Sequence, residues 1–89
     1  MIAVKRLVLD ILKPLEPNAL EFCKRVAGSG DDYRVILSVV EIDKITESLQ
    51  LTVEGHAINI EAVTEVIEDM GGSLHSIDEV EAKNEPNVH

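Results

Sequence analysis

Acidic side chains are the residues of this 89-residue chain with the clearest potential for chemistry. Asp10 lies in the first apolar segment, Glu54 ends the third, and Asp78 lies in the last. Brought together on one face of a sheet, oxygen donors of this kind suit calcium or magnesium. Glu41, Asp43 and Glu47 surround a short polar connection and form a second candidate cation contact, although their spacing lacks an EF-hand pattern. Each set also has a plainer reading, as charges solvated or paired with Lys5, Arg6 or Arg34. Catalytic groups are harder to assemble. His75 and Ser76 stand beside Asp78 and Glu79, but adjacent strand residues point to opposite faces, so no Ser-His-Asp triad results. His75 reads as a structural or interface residue, and His56 and His89 carry no pattern. Cys23 is the only cysteine, which excludes a disulfide within the chain, and it reads as a small buried hydrophobe. With no nucleophile–base pair and no cofactor motif, an enzyme is not the expectation.

The elements that must position these groups follow from the hydrophobic periods. Residues 4–13 alternate as a strand, with Leu7, Leu9 and Ile11 on one face and Arg6, Val8, Asp10 and Leu12 on the other. Lys13-Pro14 is expected to stop it. A helix follows at about Ala19 to Ala27, with Pro17 in its first turn and Leu20, Cys23 and Ala27 on one stripe beside Ala19 and Val26. Residues 33–42 form a second strand with two largely apolar faces, Tyr33, Val35, Leu37 and Val39 against Ile36, Val40 and Ile42. Residues 43–47 have the length of a hairpin loop. Residues 48–54 then alternate cleanly, Leu49, Leu51 and Val53 inward and Gln50, Thr52 and Glu54 outward. Asn59 suits the N-cap of a helix over residues 60–70, whose stripe is Ile60, Val63, Ile67 and Met70 with Val66. Gly71-Gly72 supplies a left-handed stop, and residues 73–80 form the last strand, in a register that a bulge would alter.

The order βαββαβ contains two crossover units. Right-handed crossovers then favour an α+β, ferredoxin-like sandwich, a four-stranded antiparallel sheet of order 4-1-3-2 with both helices on one face. The expected domain spans residues 1–81, followed by a polar tail at 82–89 expected to be disordered.

Fold does not imply function, so the uses of this scaffold have to be tested on residues. RNA-recognition motifs stack bases on aromatics of the central strands. Here those positions are Arg6, Val8, Asp10, Gln50, Thr52 and Glu54. Copper chaperones and iron–sulfur ferredoxins need cysteines that the chain lacks. The first loop, Lys13 to Asn18, carries two prolines and an acid and is a poor phosphate cradle for an acylphosphatase. The hairpin is too short for a nitrogen-regulatory signalling protein. Amino-acid-binding regulatory domains stay open, because they use backbone groups and subunit interfaces.

Charge narrows the partners. The net charge is −9, and the acid excess lies in residues 41–89, with twelve Asp and Glu against two Lys and Arg. Such a surface repels nucleic acid and anionic membranes. No apolar run is long enough to span a bilayer, and Lys5 and Arg6 interrupt the first apolar segment, unlike a signal peptide. The expected location is cytoplasmic. The second strand falls at a sheet edge with two apolar faces, which predicts a homo-oligomer.

Residues 4–10, Lys13-Pro14, Glu16-Pro17, Val53-Glu54-Gly55, and Gly71-Gly72 followed by His75-Ser76-Ile77-Asp78-Glu79-Val80 resemble the uncharacterised archaeal domain-of-unknown-function 211 family of small ferredoxin-like proteins. The likeness covers nearly the whole chain except the tail. It implies a ferredoxin-like fold, assembly into rings or other higher oligomers, and an archaeal cytoplasmic source. It brings no activity and no residue roles. The reading that results is a homo-oligomeric cytoplasmic module binding a divalent cation, calcium or magnesium, through Asp10, Glu54, Asp78, Asp43 and Glu47. The alternative is a regulatory domain binding a small metabolite at a subunit interface.

Overall fold

The computed structural model describes residues 1–86. Its elements are β1 (Ile2–Pro14), α1 (Ala19–Ala27), β2 (Arg34–Ile42), β3 (Thr46–Glu54), α2 (Ile60–Asp69) and β4 (Ser73–Asn84). All strands pair antiparallel in one sheet of order β2-β3-β1-β4, the expected order read from the other end. This is the βαββαβ, α+β sandwich that the periods predict.

Cross-strand register explains the core. On the helix face, rows run Val35–Val53–Leu7–Val80, Leu37–Leu51–Leu9–Ile77 and Val39–Leu49–Ile11–Leu74 across the four strands. Leu7, Leu9, Ile11, Leu49, Leu51 and Val53 are buried there under Phe22 and Val26 of α1 and Val63 and Ile67 of α2. Period 2 in the strands meets period 3.6 in the helices, so both sets of side chains reach the same layer. Asn18 and Asn59 cap the helices, each side-chain oxygen accepting an N–H three residues on (Glu21, 2.9 Å; Ala62, 3.1 Å). Gly71, at φ +81°, makes the left-handed turn out of α2, where a Cβ would be strained.

Several expectations need correction. In α1, Phe22 and Val26 are the buried residues, and Leu20 is 66% exposed. The stripe is therefore turned away from Leu20, and Pro17 precedes the cap rather than opening the helix. Tyr33 lies in the loop before β2. Thr46 and Glu47 belong to β3, which shortens the hairpin loop to residues 43–45. Met70 caps α2 from outside it.

β4 continues through Asn84, so the expected tail at residues 82–89 is strand over its first three residues. Ile2, Ala3 and Val4 of the lengthened β1 pair with Asn84, Lys83 and Ala82, which supplies the reason. Residues 87–89 lie outside the described part. Bulges in the β1–β4 ladder bring Leu74, Ile77 and Val80 to one face, a spacing of three that simple alternation does not give.

Candidate functional site

The face of the sheet away from the helices has its own rows. Arg34–Glu54–Arg6–Glu81 is charged, Ile36–Thr52–Val8–Glu79 is mostly apolar, and Ser38–Gln50–Asp10–Ser76 is polar throughout. Strands about 4.8 Å apart bring Gln50, Asp10 and Ser76 within reach of one bound group.

The carboxylates singled out in the sequence divide on this map. Glu54 is committed to Arg6, whose Nη1 donates to its Oε2 at 2.8 Å, while Arg6 Nε donates to Glu79 Oε2 at 2.6 Å. The hydrogen bonds to Glu79 and then Glu54 raise the Arg6 guanidinium above its ordinary pKa. Glu54 thus faces the open side, as expected, with its charge already matched. Asp78 accepts a hydrogen bond from Ser76 Oγ at 2.7 Å. Asp10 is half-buried and has neither an ionic nor a hydrogen-bonded partner among the described residues. Asp10 and Asp78 therefore meet through the intervening Ser76.

Glu47 does not join Glu41 and Asp43. It is buried on the helix face, where it accepts from Lys13 Nζ at 3.3 Å. Asp43 caps its own turn, its Oδ1 accepting the N–H of Lys44 at 2.8 Å. The hairpin carboxylates consequently point three ways. Among the described residues no three His, Cys, Asp or Glu side chains converge as a ready metal set.

Lys13 is the residue that simple reading missed. It is 1% exposed, at the odd position that follows Leu7, Leu9 and Ile11 on β1. Its ammonium donates to Pro14 O at 2.7 Å, to Leu15 O at 3.3 Å and to Glu47, and stands 5.9 Å from the centre of the Phe22 ring. Three acceptors satisfy its three donors, which is what allows a lysine at the end of an apolar row. The signal was parity: Lys13 continues the inward series of β1, and Glu47 precedes the inward series of β3.

At the other end of β1, Lys5 Nζ sits 2.6 Å from Glu85 Oε1 and donates to His56 O at 2.6 Å. The bond from Lys5 lowers the Glu85 carboxyl below the usual glutamate range. Together with Met1, whose carbonyl accepts Glu85 N–H at 2.7 Å, it fixes the far end of the β1–β4 ribbon.

Fold and rows together define a ferredoxin-like α+β module with a closed helix side and an exposed, carboxylate-bearing sheet side. Residues 5–85 match the DUF211 family, described as "Uncharacterized ArCR". An uncharacterised protein of Methanocaldococcus jannaschii is 42% identical over 82 residues, covering 92% of this chain and 84% of that relative. The chain belongs to the DUF211 family.

Proposed function

We propose that this protein is a homo-oligomeric module that binds a divalent cation, calcium or magnesium, through carboxylates of its open sheet face. The observation that carries self-association is the pair of sheet edges. β2 and β4 each have one unpaired side, and both are lined by exposed apolar residues: Val40 (69% exposed), Ile42 (67%) and Ile36 on β2, and Ile77 and Val80 on β4. Unpaired strand edges with apolar flanks are pairing surfaces. At roughly 25 cal/mol per Å², covering them stabilises an assembly against the entropy cost of association. Two different edges on one chain fit head-to-tail contacts, which close into rings when the rotation allows.

Cation binding rests on Asp10, an unpaired carboxylate flanked by the Gln50 amide and the Ser76 hydroxyl, with Asp78 held by Ser76. Calcium takes six to eight oxygens, so water or a neighbouring copy completes the shell. Sedimentation velocity of the protein and of a Val40→Lys, Ile42→Lys double variant tests the first half. The expected result is a higher oligomer that falls toward monomer in the variant; a monomer at the outset rejects the reading. Calcium titration calorimetry of the protein and of Asp10→Asn tests the second. Saturable binding lost in the variant is expected, and equal binding by both would remove Asp10 from the site.

The alternative, a regulatory domain taking a small metabolite at a subunit interface, separates on the same variants. Metabolite binding would survive Asp10→Asn and fail when the edges are charged. A cytoplasmic setting belongs to both readings. No helix among the described residues is long and apolar enough to cross a membrane.

A further inference from the structure

We infer that the cleft between the α1–β2 loop and the β3–α2 loop is a binding site for a small primary amine that also carries a carbonyl oxygen, such as an amino-acid amide. The cleft has a volume of about 530 Å³ and is lined by Ser29, Gly30, Asp31, Asp32, Tyr33, His56 and Ala57. That volume falls within the range of small-ligand sites.

Its walls are tied together across the chain. Asp32 Oδ2 accepts the His56 N–H at 2.9 Å, and Tyr33 Oη accepts the Asn59 N–H at 2.7 Å. The Tyr33 ring lies against Gly30 and Gly55, where an added Cβ would come within 2.3 and 2.9 Å of ring atoms. Both glycines therefore serve the placement of one aromatic ring. The loops are held by backbone and ring contacts, and side chains are left over to meet a ligand.

Those side chains specify the ligand class. Asp31 has no ionic or hydrogen-bonded partner among the described residues, and it adjoins Asp32 in sequence. Two neighbouring carboxylates favour a cation. A bare metal is disfavoured, because no third ligand converges on them among the described residues. An ammonium, with three donors, matches two carboxylates directly.

His56 adds the second half of the ligand. Lys5 Nζ stands 3.4 Å from its Nδ1 and can only donate. Nδ1 is thereby the acceptor, and the neutral ring carries its hydrogen on Nε2. That N–H is a donor for a carbonyl oxygen. A lining of two carboxylates, a hydroxyl and an imidazole is poorly suited to an apolar ligand or an anion.

The site lies within one chain and does not depend on the oligomer or on Asp10, so its failure and theirs are separable. The test is calorimetric titration with L-alaninamide, with 1,4-diaminobutane and tetramethylammonium as comparisons. Asp31→Asn and His56→Ala are the variants, since Asp31 is exposed and the His56 backbone, not its ring, holds the loop to Asp32. Glu65→Gln on the acidic face of α2 is the control. The expected result is one alaninamide per chain, with binding about tenfold weaker in either cleft variant, as loss of one charge-assisted or neutral hydrogen bond implies, and unchanged in the control. Absence of saturable binding, equal binding by the cleft variants, or equal affinity for tetramethylammonium would overturn the assignment.

Discussion

Leu9 and Asp10 are neighbours on β1 and live on opposite sides of one sheet. Leu9 sits in a row of four apolar side chains beneath two helices, with no exposed surface. Asp10 sits in a row of serines and glutamine, on a side that no helix covers. The helix side is specified by volume and closes without ligand or partner. The open side is specified by hydrogen-bonding groups, and its edges leave apolar surface uncovered. Stability is therefore concentrated on one side of β1 and the opportunity for binding on the other.

The exception on each side sharpens the contrast. The helix side ends in the Lys13–Glu47 ion pair, a charge where only apolar groups are otherwise found. On the open side Val8 and Thr52 are 7% and 8% exposed, close to core values without a covering layer. The long side chains of the neighbouring charged row account for shielding at that level.

The largest expected effect comes from breaking the helix-side exception. Glu47→Ala leaves the Lys13 ammonium buried without its counter-charge and should cost about 3 kcal/mol or more. A Lys13→Met, Glu47→Leu double variant should recover much of that, because a fitted apolar pair needs no desolvated charge. Urea unfolding at one fixed protein concentration measures both, and a Glu47→Ala loss below about 1 kcal/mol would mean that the pair behaves as a solvated one.

Next comes the direct comparison along β1. Leu9→Ala should cost about 2–5 kcal/mol through the cavity it opens. Asp10→Ala should change unfolding by no more than about 0.5 kcal/mol while abolishing calcium binding. Equal destabilisation by the two would erase the distinction between the faces.

The smallest effect concerns the ends of the β1–β4 ribbon. The Lys5 hydrogen bond lowers the Glu85 carboxyl, so its contribution is complete above the ordinary glutamate value of about 4.3 and fades as pH falls through the lower folded value. Amide exchange at residues 2–4 and 82–84 should accelerate in that acid window, and Glu85→Gln should show the faster rate already at neutral pH. Exchange that is identical in the two proteins at every pH would remove the ion pair from the account.

Much of this was legible from residue order. Alternation in β1 and β3 gave the core, and asparagines before two helical periods gave the caps. The bulges of β4 were not legible, because their two-for-one pairing breaks the period that reading relies on. Phe22 displaced Leu20 because the turn of a nine-residue helix against a sheet is decided by packing, and both stripes are plausible from sequence. On the open face, Asp10, Glu54 and Asp78 were correctly set on neighbouring strands, but which carboxylate Arg6 would take depended on register. The cleft at Asp31, Asp32 and His56 left no periodic trace, since loops carry none.

Native mass spectrometry of the purified protein, before and after a chelator, tests the central claim most directly, since it reports subunit number and bound mass together. The account predicts a higher oligomer carrying calcium- or magnesium-sized adducts that the chelator removes. A bare monomer, its spectrum unchanged by the chelator, would contradict it.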